Sequence, residues 1–341
     1  MQMDMKHFTI IKSMPGDENH PLFTDLVDQL YEKGSQRDRL GNDPNETYLE
    51  GCYTLIKNGK ALGRFAYYEN PDLSYQDQKT ACIGSFECIN DLEVCEALIA
   101  HAKQLALVGG NEQLIGPMEG STWNNYRFSV HNEHPNFFME PYHQDYYGGL
   151  FEACGFETIA SYYSNIDANL TFDAAQISAY EKHFLDTGAR LRKIDLSDLE
   201  NELHKIARFS NEAFKHNFLF TPIDENDFVR KYIRLKDYFN PELIWIVEDE
   251  FGEIHAISFS IEDYTKSAGN TVIIKSLARK KDSPFRGIGE YLGTKTVQIA
   301  TEAGYDGIIH ALMIKNKDSI RLSENHAGTD YKSYSLYGMK L

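Results

Sequence analysis

The sequence predicts an α/β fold of the α+β kind, with one order of parts built twice along 341 residues. Three observations carry this. Apolar runs at 80–89 and 271–277 each lead through a turn into a helix of 3.6-residue periodicity, then through glycine into a further apolar run, at 113–115 and 306–313. Hairpin signals recur: 48–56 and 61–68 flank Asn58-Gly59, and 243–248 and 254–262 flank a turn at Gly252. The length also suits two domains of ordinary size.

In chain order, 8–11 reads as a first strand and 22–33 as a helix with Leu22, Leu26 and Leu30 on one face. A polar loop at 34–47 precedes the first hairpin. Asp91 caps a helix over 92–108, with Val94, Leu98, Ala102 and Leu105 inward and Gly109-Gly110 as its stop. The stretch 116–147 is longer than a connector in a compact domain; such loops are often functional, and the alternative is that its aromatics pin it to the domain face. A strand at 158–166 ends the first half. Residues 167–188 start polar and become helical, so they read as a linker helix between a unit at 1–166 and a unit at 189–341. The second unit opens with a strand at 189–194 and a helix at 198–214 that turns Leu199, Leu203, Ile206 and Phe209 inward. His216 to Pro222 break the periodicity before a further helix at 224–235. A strand at 271–277, a helix at 290–304 and closing strands complete the unit.

Composition narrows the function. Hydrophobic residues at 42% and charged residues at 25% belong to a folded chain. No apolar run reaches about 18 residues and no basic-flanked leader opens the chain, so neither signal peptide nor anchor is expected and the predicted compartment is the cytoplasm. Five cysteines without a C-x-x-C pair read as reduced thiols, and no metal is expected. His131, His134 and His143 have no H-E-x-x-H context to change that. A net charge of −17 repels phosphate backbones and anionic headgroups, which excludes nucleic acid and membrane as expected partners. Basic residues nevertheless gather at Lys275, Arg279, Lys280, Lys281 and Arg286, so if one half binds an anionic cofactor it is the second.

There the buried-looking strand 271–277 runs through Ala278-Arg279-Lys280-Lys281-Asp282-Ser283-Pro284-Phe285-Arg286-Gly287-Ile288-Gly289 into a helix. The first amides of a helix lack internal partners and carry the positive end of its dipole, so this turn can cradle phosphate. A plain strand-to-helix turn uses glycine in the same way. The absence of Lys-Ser/Thr after the glycines argues against a P-loop.

Residues 277–289 resemble the acyl-CoA-binding segment of the GCN5-related N-acetyltransferase superfamily. Gly287 and Gly289 match its two small positions, Pro284 stands where its Gln or Arg falls, and Arg286 follows two residues later. Asn316, Ser319 and Leu322 are similar to its later Asn-x-x-Ala-x-x-Leu run, with Ser323 where a tyrosine acid often stands. Leu150-Phe151-Glu152-Ala153-Cys154-Gly155-Phe156 resembles the domain's ending, and the stretches 84–91 and 116–127 look like bacterial tandem members.

The resemblance implies two tandem acyl-CoA N-acyltransferase-like domains, each a mixed, mostly antiparallel sheet flanked by helices. It also implies transfer of an acetyl group from acetyl-CoA to a primary amine of a small molecule or peptide. The cofactor would meet Leu277, Ala278, Arg279, Phe285, Arg286, Gly287, Ile288, Gly289, Glu290 and Asn316. The matching turn of the first unit, Ile89-Asn90-Asp91-Leu92-Glu93, lacks glycine and presents acids, so that unit is expected to bind no cofactor and to wall the acceptor site. A catalytically silent binder of the same fold is the alternative.

For the acceptor, Trp123, Tyr126 and Arg127 offer polar-tipped aromatics and a guanidinium, and the resemblance adds Phe218, Phe220 and Thr221. Presenting a lysine-like amine neutral at pH 7 costs about 4.6 kcal/mol, so a base is needed. By the same analogy Glu262 is the expected base, with Asp263 second. Tyr334 is the expected acid for the departing thiolate, with Tyr331 and Tyr337 as alternatives. The acceptor and acyl chain are not fixed by the sequence, and a homodimer stays open.

Overall fold

A computed structural model describes residues 8–33, 41–130, 134–266, 268–315 and 328–341. The first half contains β1 (Thr9–Ser13), α1 (Pro21–Leu30), β2 (Leu49–Lys57), β3 (Lys60–Tyr68), β4 (Ser74–Tyr75), β5 (Gln78–Cys88), α2 (Leu92–Val108), β6 (Gln113–Gly116), β7 (Phe128–Ser129), α3 (Tyr147–Ala153) and β8 (Glu157–Asp167). After α4 (Ala174–Asp186) come β9 (Arg190–Lys193), α5 (Leu199–Phe214), α6 (Glu225–Ile233), β10 (Ile244–Glu248), β11 (Ile254–Glu262), β12 (Thr271–Arg279), α7 (Ile288–Glu302), β13 (Gly307–Ile314) and β14 (Thr329–Lys340).

One sheet runs through both halves in the order β1-β2-β3-β5-β6-β14-β8-β13-β12-β11-β10-β9. The order reads alike from either end, because each half contributes its last strand to the other. β14 pairs with β6 of the first half, β8 pairs with β13 of the second, and the two exchanged strands pair at the centre, with Tyr162 opposite Tyr334. All these pairings are antiparallel except β5 with β6 and β12 with β13. A parallel neighbour needs a crossover, which α2 and α7 supply.

Both parallel pairs are short. β5 and β6 pair only from Thr80 to Cys82 against Gln113 to Ile115, and β12 and β13 only from Thr271 to Ile274 against Gly307 to His310. Beyond these points the strands splay. In the second half both strands are irregular at this point: β12 carries Lys275 as an extra residue against β11, and β13 bulges against β8, where Leu312 takes φ +58 and gives its N–H to Ser164 Oγ at 2.9 Å. In the first half the splay is filled. The Tyr147 hydroxyl accepts the Cys88 N–H at 3.2 Å, the Tyr146 hydroxyl donates to the Cys88 carbonyl at 2.9 Å, and Phe128 and Phe151 pack beside them.

The mixed, mostly antiparallel sheet flanked by helices is the architecture the sequence implies. The helix predicted from 290 begins at Ile288, and the long stretch 116–147 includes β7. All five thiols are free; Cys154 Sγ lies 3.5 Å from Cys95 Sγ, and burial pushes the Cys52 thiol up to about 12, which keeps it protonated. Among the described residues no helix is long and apolar enough to cross a membrane.

Candidate active site

The open splay of the second half borders a cavity of about 680 Å³. Its base is formed by Lys275 and Ser276 of β12 on one side and Ala311 and Leu312 of β13 on the other. Past Ile274, β12 keeps β11 as its neighbour and no described strand covers its other edge. Successive amides of a strand alternate in direction, so part of the backbone from 275 to 279 faces the gap.

The walls come from two segments far apart in sequence. The long stretch brings Trp123, Tyr126 and Arg127, and the break between α5 and α6 brings Phe218 and Phe220. Trp123 packs edge-on against Phe214, Phe220 and Phe228, and its Nε1–H donates to the Thr221 carbonyl at 2.8 Å. Thr221 itself lies buried behind this wall, where its hydroxyl accepts from Asn70 Nδ2 at 3.2 Å. The structure thus brings five of the six expected acceptor residues to one cavity and places the sixth as its support.

A second cavity, of about 510 Å³, reaches into the first half along Arg64, Ser85 and Glu119. Asn125, Tyr126, Arg127, Met139 and Pro141 line both spaces. Arg127 stands at this boundary, its guanidinium 3.9 Å from the Tyr126 ring and 4.3 Å from the Tyr162 ring, with Nη1 donating to the Leu312 carbonyl at 3.2 Å. Lys231 of α6 donates to the Trp123 carbonyl and, at 3.0 Å, to Asn124 Oδ1. Burial lowers both Lys231 and Lys275 to about 8; at Lys275 Arg127 and Lys231 act with it and Glu140 against it, and at Lys231 Glu119 acts against it. Burial raises the Glu119 carboxyl, which accepts from Ser85 Oγ at 2.6 Å.

The glycine turn precedes α7 as expected. Phe285 and Ile288 face inward onto Tyr291 and Phe184, while Arg286, Gly287 and Glu290 are exposed. Gly287 occupies the N-cap position with φ +81 and no side chain caps the helix. By contrast α2, α4 and α6 begin under Asp91, Asp173 and Asp224, whose carboxylates accept the first amides. The start of α7 therefore has amide donors available to an outside anion. Arg279 is exposed, and Lys280 is paired with Glu253. Neither cavity reaches this turn.

The expected base and acid are placed apart from the splay. Glu262 ends β11 opposite Val272, where β12 and β13 are still paired, and accepts from Asn240 Nδ2 at 3.1 Å. Asp263 accepts from the Phe138 N–H at 2.9 Å. Tyr334 is fully buried and gives its hydroxyl proton to Glu140 Oε1 at 2.6 Å, and burial with that carboxylate holds its pKa well up. Tyr331 donates to the Pro135 carbonyl at 2.7 Å, and Tyr337 is buried in the first-half core. Asn316, Ser319, Leu322, Ser323 and His131 lie outside the described residues. His134 stacks on Tyr331, and His143 Nε2 accepts the Ser129 N–H at 2.6 Å. Asp249, Glu253 and His255, of which only Glu253 is exposed, bring ligand-type atoms together where the β10–β11 turn enters β11.

Sequence reasoning counted Lys275 only as part of the basic cluster of the second half, and did not single out Lys231 or Glu140. Lys275 had a signal: one cation interrupts the run Val272-Ile273-Ile274-Lys275-Ser276-Leu277. Lys231 had none, being an ordinary position on an amphipathic helix.

No family model matches the chain. A bacterial ceramide synthase of Caulobacter vibrioides (strain NA1000 / CB15N) is 21% identical over 351 residues, covering 93% of this chain and 88% of that protein. Among solved structures, a tandem GNAT protein from the clavulanic acid biosynthesis pathway aligns with a TM-score of 0.55 at 12% identity, covering 98% of both chains. A GCN5-related N-acetyltransferase from Sphaerobacter thermophilus aligns at 0.52 and 10% identity over 98% of this chain and 95% of its own. The glucosamine N-acetyltransferase region of a fungal multi-domain β-N-acetylglucosaminidase aligns at 0.61 and 12% identity over 97% of this chain, which spans 38% of that larger protein. Over 98% of its length the chain thus has the tandem fold of the GCN5-related N-acetyltransferases.

Proposed function

We propose that the chain transfers an acyl group from acyl-CoA to a primary amine, with the thioester laid in the splay between β12 and β13 and the amine entering from the aromatic cavity. The observation that carries this is the junction of the two: the 680 Å³ cavity opens on both edges of the splay, at Lys275 and Ser276 and at Ala311 and Leu312. The residues fit the co-substrate, since the β12 edge is free to pair with an extended amide chain and the uncapped α7 start offers donors for a diphosphate. The first half, its splay filled by Tyr146 and Tyr147, serves as the wall opposite.

Acyl-CoA supplies an activated carbonyl and a thiolate leaving group. The amine nitrogen bonds to the acyl carbon as the carbon–sulfur bond breaks; the nitrogen loses a proton and the thiolate gains one. An outward amide of β12 near Leu277 or Ala278 is the donor for the carbonyl oxygen, held by the pairing with β11. Burial of the cavity favours the neutral amine, as it does for the two lysines that line it. The ceramide synthase relative makes an N-acyl long-chain amine, which supports amide formation here and widens the acyl donors to test beyond acetyl-CoA.

Thiol release from acyl-CoA donors of increasing chain length, each with a panel of amines, tests this reading. Release that depends on both partners is expected; acyl-CoA that neither binds nor reacts with any amine would sink it. The glycine turn gives a second test. A side chain at Gly287 must adopt φ +81, and its Cβ would lie 3.0 Å from the Tyr180 ring. Gly287→Val is expected to raise the KM for acyl-CoA about tenfold through roughly 1 to 2 kcal/mol of backbone strain, with a native far-UV spectrum. An unchanged KM would remove α7 from the cofactor site.

A further inference from the structure

We infer that the amine acceptor carries an anionic group, a carboxylate or a phosphate, seated among Arg127, Lys275 and Lys231 in the larger cavity. This rests on the acyl-transfer reading and names the substrate class of that site.

The chain as a whole is strongly acidic, at −17, yet these three cations line one partly apolar space. Arg127 is 7% exposed and its Nε has no partner. Among the described residues no carboxylate lies within ion-pair distance of it. Its backbone sits at φ +73, held by the Arg127 N–H bond to the Pro117 carbonyl at 3.0 Å, so a disfavoured conformation is kept where it places the guanidinium between two rings. Lys275 is half-buried in an otherwise apolar stretch of β12, and among the described residues it has neither hydrogen bond nor ion pair.

The nearby acids are engaged elsewhere. Glu140 is bound by Lys332 at 3.3 Å and by Tyr334, and Glu119 by Ser85. Lys231 feels Glu119 and Lys275 feels Glu140, but neither lysine contacts the acid, and Lys231 bonds only neutral oxygens. A cluster of like charges withdrawn from water is unfavourable unless something of opposite charge completes it. A carboxylate or phosphate fits the guanidinium fork, and the two ammonium groups add point charges beside it. Because Lys275 stands where the splay opens, the anionic group would lie close to the reacting nitrogen, while Trp123, Phe218 and Phe220 receive an apolar body.

The test compares matched amines as acceptors: β-alanine with propylamine, phenylalanine with phenethylamine, O-phosphoethanolamine with ethanolamine, and sphinganine 1-phosphate with sphinganine. The anionic member of a pair is expected to show a kcat/KM about 10- to 100-fold higher. That ratio should fall toward one in Arg127→Gln and Lys275→Met and recover in part in Arg127→Lys and Lys275→Arg. Neutral members used as well as their anionic partners would overturn the inference and leave acyl transfer standing. So would succinyl-CoA outrunning acetyl-CoA by that factor with propylamine, which would put the anion on the acyl side. If no amine is acylated, the transferase reading fails and calorimetry with O-phosphoethanolamine and phenylalanine decides the site alone. Binding that is lost in Arg127→Gln supports the anion site; no binding to the wild-type chain overturns it.

Discussion

Glu140→Gln is expected to destabilise the chain by about 3 to 5 kcal/mol, the range for stranding one member of a buried ion pair. Glu140 and Lys332 both have fully buried side chains, 3.3 Å apart. The carboxylate also accepts the Phe137 N–H at 3.1 Å and the Tyr334 hydroxyl at 2.6 Å. It therefore ties the long loop to β14, the strand that the second half lends to the first. Glutamine keeps the shape and an acceptor oxygen but leaves the buried Lys332 ammonium without its contacting carboxylate, bonded to the Asn136 side-chain oxygen and with Asp145 the remaining acid that acts on it. A melting-temperature drop of roughly 10 °C is the expected measurement. The double variant Glu140→Leu with Lys332→Met should lose far less than the sum of the single changes, because it removes both charges together. A single-variant loss below about 1 kcal/mol would mean that water reaches this pair.

The doubled order of parts was legible because its signals are local. Asn58-Gly59 sets a hairpin, Asp91 caps α2 through the Glu93 and Val94 amides, and Gly287 opens α7 in a left-handed conformation that its sequence context announces. The trade of β8 and β14 was not legible. Both are long strands rich in tyrosine and serine, and nothing in a strand's own residues says whether its neighbour comes from the same half or the other.

The placement of Glu262 turns on strand direction. Adjacency in the hairpin is a sequence-level expectation, but an antiparallel partner sets the end of β11 beside the start of β12, and the splay lies at the finish of β12. The acceptor residues were easier to read. An overlong stretch with Trp123, Tyr126 and Arg127, and a helix break with Phe218 and Phe220, both signalled segments not used up by a core, and they meet at one cavity. Lys275 shows the value of the opposite signal, a charge inside a pattern that otherwise asks for none.

Lys275→Met is expected to raise stability at neutral pH while abolishing the preference for anionic acceptors. Burial, with repulsion from Arg127 and Lys231 and against the attraction of Glu140, lowers the Lys275 ammonium from 10.5 to about 8 in the folded chain. Below pH 8 both folded and unfolded chains hold this proton, and the folded chain bears the full cost of a poorly solvated charge. Between pH 8 and 10.5 the unfolded chain holds a proton that the folded one has released, so this residue's contribution to stability rises with pH across that window. The gain from methionine, of matching length and no charge, should therefore be largest below pH 8, at about 1 to 3 kcal/mol, and shrink toward pH 10.5. The difference between variant and wild type is the quantity to follow, since thiols such as Cys52, raised by burial, oppose the trend equally in both proteins. Melting temperatures at pH 7, 8, 9 and 10 would measure it. A variant less stable than wild type at pH 7, or a difference flat from pH 7 to 10, would show that the Lys275 ammonium is solvated or neutralised by a partner and does not await one in the acceptor.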